Sequence, residues 1–265
     1  HAIAENIRQL SPDIVALQEV DRGALRSHDI DQLDWLAKQI GFEFSAWAPT
    51  WDAGWVPYPG RDPAVQIGRV HSGQAVFSRF PITTARRHAL PQPSSRSTVA
   101  NLFYLHRALL EVNIAVGPRR NLRVFNVHLE AFDNDNRDHQ AQITADKVSR
   151  SSEHVILLGD MNSVPPEAPL RHGFPDEPGT DMRSDQTLRI LRQIPGIHEV
   201  GTPSTKTNRS DDWHTFPAHE PNRQLDYIFH GSGLDLLDAK IAPVPIVSDH
   251  LPVVATLEWI PSSAE

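Results

Sequence analysis

The chain has no cysteine, which removes disulfides, thiolate metal sites and cysteine nucleophiles from consideration. That absence fits a cytoplasmic enzyme, the location we expect, and is equally compatible with export. No apolar run approaches the roughly 20 residues that a membrane helix requires; a soluble protein is expected. A cationic excess is missing too: 25 Lys and Arg stand against 33 Asp and Glu, for a formal charge of -8. This is the wrong sign for a protein held to nucleic acid by general electrostatics, although a local basic groove would be compatible with it. The first residue is His1 rather than Met, and no charged and then apolar leader follows it. The start therefore reads as that of a processed or truncated chain.

The 265 residues are enough for one large α/β domain with a substantial core, although two small domains would also fit the length. Ile3, Ile7 and Leu10 share a helical face that Pro12 terminates, and the run from Asp13 to Gln18 reads as a buried strand. Glu19 then stands at a strand end. A second helix is expected over 31–40, with Leu33, Leu36, Ala37 and Ile40 inward and Gly41 as its cap. Strands are expected at 42–47 and 73–78, and between them 48–69 carries Trp51, Trp55 and Tyr58 among Pro and Gly, which reads as a long loop forming a lip over a site. Further strands are expected at 107–115, 122–129, 155–158, 224–229 and 253–259, with a turn at Gly117 and Pro118 and helices over 137–149 and 184–194. Alternating elements with some tightly turned strand pairs imply mixed sheets.

Each polar cluster, taken alone, has an ordinary structural explanation. Glu19 could be a solvated carboxylate, Asp160 a turn cap before Pro165, His128 a satisfied sheet histidine, and Asp249 with His250 a local turn. Yet all of them stand at the ends of apolar strand runs, where α/β folds build their sites. Hard carboxylate and amide oxygens suit Mg²⁺ or Mn²⁺, and the absence of Cys and of an HExxH pair argues against a zinc hydrolase.

At these residues the chain resembles the endonuclease/exonuclease/phosphatase superfamily, which includes deoxyribonuclease I. The matching stretches are LQEV (17–20), SGQAVFSRFPI (72–82), NVHLEAF (126–132), LLGDMNSVP (157–165), QLDYIF (224–229) and SDHLPVVA (248–255), in the family's order and across nearly the whole chain. The resemblance implies a deoxyribonuclease I-like fold, an α/β four-layer sandwich of two mixed β-sheets face to face with helices outside, and metal-dependent hydrolysis of phosphoesters. It implies Glu19 as a metal ligand with Asp249 completing the metal site, Asp160 aligning or deprotonating the attacking water, and Asn162 stabilising charge on the phosphoryl oxygens. His250 would contact the scissile phosphate, oriented by Asp226, and His128 would donate to phosphate or leaving group. The expected cofactor is Mg²⁺ or Mn²⁺.

In one respect the chain departs from the family's pattern. Members begin with a core strand ending in an Asn a few tens of residues before the Gln-Glu pair, whereas only eighteen residues precede Glu19 and Asn6 falls within a helix. Loss of that first strand from a single domain spanning 1–265 is the expectation. The stretches LHRALL (105–110) and HLEAFDNDNRDHQ (128–140) further resemble a bacterial subgroup of uncharacterised metal-dependent hydrolases. Arg107 could hold a phosphate oxygen bidentately or form an ion pair at a sheet edge, and Arg137 and Gln140 are expected to be mainly structural. A lipid or small-molecule phosphodiester is favoured as substrate over DNA or RNA, because no basic cluster is denser than Arg86-Arg87 or Arg119-Arg120. A monomer without a stable protein partner is expected, and an inactive binding module of the same fold is the competing reading.

Overall fold

A computed structural model describes residues 1–56, 68–96, 104–151, 153–201 and 213–261. The first helix, α1 (Ala2–Leu10), ends at Ser11 in the left-handed conformation. The second, α2 (Gln32–Ile40), is capped by the Asp31 carboxylate accepting from the Asp34 N–H and stopped by Gly41 at φ 73°. Between and after them run β1 (Ile14–Asp21), β2 (Phe44–Val56) and β3 (Gly68–Ser78), which form a three-stranded antiparallel sheet in the order β1-β3-β2.

Six strands form the second sheet: β4 (Ile82–Ala89), β5 (Ala108–Gly117), β6 (Arg120–His128), β7 (Val155–Asp160), β9 (Asp226–Gly231) and β8 (Ile197–Glu199), in that spatial order. All its pairs are antiparallel except β6 with β7, which are joined by the crossover helix α3 (Asn134–Val148). A short helix, α4 (Thr187–Arg192), lies beside α3. The last two strands, β10 (Leu234–Ile241) and β11 (Val253–Trp259), pair with each other alone.

Three apolar clusters show how the layers stack. Helices α1 and α2 pack Ala4, Ile7, Leu33, Leu36 and Ile40 against Ala75 and Phe77 of β3. Between the sheets, Ala46 and Val76 meet Leu110, Val112 and Val124, with Leu234 and Leu257 of the β10-β11 pair alongside. On the far side Ala141, Ala145 and Val148 of α3 and Leu188 and Leu191 of α4 cover Phe125, Val127, Leu157 and Phe229. The four-layer α/β sandwich is therefore as expected, with one difference. Only the six-stranded sheet is mixed; the facing layer is antiparallel and divided into two hydrogen-bonded groups, because β1 and β11 each pair on one side among the described residues. Among those residues no helix is long and apolar enough to cross a membrane.

The expected loop over 48–69 is corrected at its two ends, while 57–67 lies outside the described residues. β2 continues through Val56 and β3 begins at Gly68, in antiparallel register through Ala53↔Val70, despite the Pro and Gly that argue locally for turns. Ladder bonds to partners 12 to 26 residues away outweigh those local preferences. Trp51 packs with Ala53, Val56 and Val70, and the Trp47 indole N–H donates to the Val20 carbonyl at 3.1 Å. Neither tryptophan serves as a free lip, and Tyr58 lies outside the described residues. Strand β4, mostly exposed at the sheet edge, and strands β8 and β10 escaped the sequence reading, because edge and short strands carry little alternation.

Candidate active site

Side-chain parity along the strands assembles the site. In β6, Leu122 and Val124 face the other sheet while Phe125 and Val127 face the helices, so Asn126 and His128 point between the sheets. The same alternation in β7, with Ile156 and Leu158 inward, turns Asp160 inward; in β9, Tyr227 and Phe229 take the helix face and leave Asp226 inward. Cα register then aligns the three ends, His128 opposite Asp160 and Asp160 opposite Asp226. Paired residues on one face stand side by side. His128, Asp160 and Asp226 thus form one row at the rim of the six-stranded sheet.

His250, just ahead of β11, completes the row from the facing layer. Its Nδ1 lies 2.7 Å from Asp226 Oδ2, its Nε2 lies 3.9 Å from Asp160 Oδ2, and its ring leans against Phe216 at 4.7 Å between centroids. His128 Nε2 approaches the same Asp160 oxygen at 3.4 Å. Burial works against the charged form of His250, but the hydrogen bond and charge of Asp226, with Asp160 and Asp249, outweigh it and raise its pKa to about 9. His128 is driven the opposite way, well below the ordinary histidine value, by burial and then by the charges of Arg107 and His250. Burial and the neighbouring Asp226 hold the Asp160 carboxyl well above the usual carboxylate range, against the pull of His250 and Arg107. The row therefore holds a charged imidazole, a neutral imidazole and a proton-hungry carboxylate within contact of one another.

The turn after β7 is set locally. Gly159 has φ 135°, and a Cβ there would stand 1.9 Å from the Val127 carbonyl oxygen, so only glycine lets β7 approach β6 this closely. Asn162 follows at φ 48°, with its backbone N–H donating to Asp160 Oδ1 at 2.8 Å and its Nδ2 donating to the Leu129 carbonyl at 3.0 Å. One amide hydrogen of Asn162 is thereby committed to the strand end of β6. Arg107, immediately before β5, is 4% exposed and its Nε has no hydrogen-bond partner; burial pulls its pKa down, opposed by the charges of Glu130, Asp160 and Glu19. It is a buried arginine whose charge is felt at Asp160 and His128.

Glu19 arrives by a different device. Strict alternation in β1 would put it on the helix-covered face with Val15 and Leu17, but the pairing with β3 shifts between Leu17 and Val20, and Val20 takes that face. Glu19 sits in this bulge with φ 55°, a conformation costing of order 1 kcal/mol or more in a residue with a long side chain. Its carboxylate is 58% exposed and touches Arg26 at 3.5 Å. Asp249 is exposed, accepting from the Ser248 hydroxyl at 3.2 Å. Among the described residues no three acidic or imidazole groups gather closely enough to hold a metal by themselves. A magnesium-type ion needs only one or two carboxylates and fills its other positions with water and substrate oxygens; an exposed Glu19 on a strained bulge has the chemistry for that.

Sequence reasoning missed a residue that ties the two layers together. Asn126, fully buried, donates through Nδ2 to the carbonyls of Leu17 and Ala75 at 3.0 Å each and accepts from Gln18 Nε2 at 2.7 Å. Its signal was available: an amide two residues before His128 within the apolar run Val124–Val127. Tyr104 and the fully buried Glu130 were also missed; the phenol donates to Glu130 Oε1 beside Arg107. Phe132, 71% exposed on the loop leaving β6, is the large apolar surface nearest in sequence to His128.

Two facing β-layers flanked by helices, with acid, amide and imidazole groups at one rim, define the deoxyribonuclease I-like class of α/β sandwich. Solved structures bear this out. One is an endonuclease/exonuclease/phosphatase from Beutenbergia cavernae, with a TM-score of 0.73 and 24% identity over 97% of this chain and 65% of that one. The chain thus spans less than two thirds of that protein's length. Others are a mannosyl-6-phosphatase from Bacteroides thetaiotaomicron (TM-score 0.61, 16% identity, 97% and 89% covered) and D. rerio TDP2 complexed with single-strand DNA product (0.63, 16%, 97% and 90%). Among curated proteins none matches. The family profile described as Endonuclease/Exonuclease/phosphatase matches residues 1–250, and the chain belongs to that family. Its members are hydrolases of phosphoester bonds that generally use divalent metals.

Proposed function

We propose that the protein is a Mg²⁺- or Mn²⁺-dependent phosphodiester hydrolase acting, as a monomer, on a lipid or small-molecule substrate. The observation that carries this reading is the His250–Asp226 pair at 2.7 Å, set against Asp160 and His128 on three adjoining strand ends. With Nδ1 engaged by Asp226, the imidazolium of His250 directs Nε2 at a phosphoryl oxygen and supplies charge and a proton there. Asp160, whose proton affinity is raised by burial and by Asp226, orients the attacking water and takes its proton. The neutral His128 donates one N–H to the phosphate or leaving group, the second amide hydrogen of Asn162 donates to the same oxygens, and Arg107 stabilises their charge from behind. A divalent ion held by Glu19, with Asp249 completing the set, would supply Lewis acidity to the non-bridging oxygens.

The formal charge of -8 and the exposed Phe132 four residues beyond His128 favour a small or apolar substrate over a polynucleotide. Assays of bis-p-nitrophenyl phosphate, a phospholipid, and single- and double-stranded DNA, each with Mg²⁺ and with chelator, test the proposal. Chelator-sensitive turnover of the first two supports it; preferential cleavage of DNA makes the protein a nuclease, and no turnover with any substrate makes it a binding module.

A further inference from the structure

Behind the site lies a buried ion pair that the proposed chemistry does not use. Arg137 and Asp185 are 1% and 2% exposed, and Arg137 Nε donates to Asp185 Oδ2 at 2.6 Å. The other Arg137 nitrogens do not face a second carboxylate. Nη1 donates to the carbonyls of Glu130 and Ala131 at 2.8 and 3.2 Å, and Nη2 donates to Asn134 Oδ1. On the far side Asp185 Oδ1 accepts from the Ser163 hydroxyl at 2.6 Å and from the Thr187 N–H at 3.0 Å. One charge pair therefore joins the loop two residues beyond His128 to the loop three residues beyond Asp160.

We infer that Asp185 and Ser163 are positioning residues, which fix the Asp160–Asn162 turn against the end of β6 through the Arg137 charge. The inference rests on the functional reading above. Its physical basis is the left-handed Asn162, a conformation that persists only where surrounding contacts over-determine it. On one side Asn162 Nδ2 is tied to Leu129; on the other, Ser163 is fully buried and is held at its hydroxyl by Asp185 and at its carbonyl by the Tyr227 phenol at 3.0 Å. The Asp185 carboxylate bridges the two, accepting from Arg137 Nε at one oxygen and from the Ser163 hydroxyl at the other. Removal of the Ser163 hydroxyl frees one side of the turn without breaking the ion pair.

The test uses Ser163→Ala, with Glu111→Gln as a control; Glu111 holds His88 and Arg123 on the six-stranded sheet away from the site. Two measurements are made on each protein. The first is kcat and KM for bis-p-nitrophenyl phosphate at saturating metal. Ser163→Ala is expected to lower kcat by about ten- to a hundredfold with KM little changed, as displacement of reacting groups by a fraction of an ångström does, while Glu111→Gln keeps its kcat. The second is hydrogen exchange of the Asn162 backbone N–H, which needs no turnover: its protection should fall by about tenfold or more in Ser163→Ala, and in Glu111→Gln no more than global stability falls. Unchanged Asn162 protection overturns the positioning role whatever the activity, as does equal loss of kcat in both variants. Absence of metal-dependent turnover in the wild type overturns the functional reading instead, and leaves the exchange measurement to decide the strut.

Discussion

Asp226→Asn should uncouple His250 from its charge while leaving the fold intact, because an amide replaces a carboxylate of the same shape 2.7 Å from Nδ1. The rise of the His250 pKa from 6.5 to about 9 corresponds to roughly 3 kcal/mol of preference for the imidazolium, each tenfold in proton affinity being worth ~1.4 kcal/mol. Solvent at the 25%-exposed side chain makes that an upper figure. With Asp226 neutral, burial is opposed only by Asp160 at 3.9 Å and by Asp249, and the pKa should fall by about one pH unit or more. The folded pKa lies above the unfolded one, so this stabilisation is complete below pH 6.5 and disappears as pH rises through about 9. Two assays read it: an NMR titration of the His250 ring, and urea unfolding at about pH 6 and about pH 9.5. The wild type should lose up to roughly 3 kcal/mol between those two conditions through this group, and Asp226→Asn should lose less by ~1.4 kcal/mol or more. A His250 pKa still near 9 in the variant would refute the assignment of Asp226 as its partner.

Replacing Asp160 or His250 by Ala should lower kcat by on the order of a hundredfold or more at saturating metal, as loss of an oriented acid-base or charge-stabilising group does; rescue by extra metal would contradict their placement. Glu19→Gln should behave differently, recovering part of its lost activity at high Mg²⁺ or Mn²⁺, since an amide ligates a hard cation less well than a carboxylate. Gly159→Ala, which forces a Cβ to 1.9 Å from the Val127 carbonyl oxygen at φ 135°, should cost at least ~2 kcal/mol and several degrees of Tm, and a normal melting curve would show that β7 can move away from β6.

Some of this architecture was legible residue by residue. The helix faces of α1 and α2, the Gly41 cap, and the strands that carry Glu19, His128, Asp160 and Asp226 follow from periodicity and local backbone chemistry, which nearby residues decide. Parity alone even places His128, Asp160 and Asp226 on one face of their strands. Which strands adjoin is a different matter. The register that sets His128 beside Asp160 and Asp160 beside Asp226 joins residues 32 and 66 positions apart, and ladder bonds between distant segments leave no periodic trace in either one. The same holds for the continuation of β2 and β3 through the tryptophans at 47 and 51, where pairing overrode turn-forming residues. The bulge that turns Glu19 out of alternation, and the strut from Arg137 through Asp185 to Ser163, arise only once two layers and two helices have packed, because their energy comes from burial and from partners that the chain brings together last.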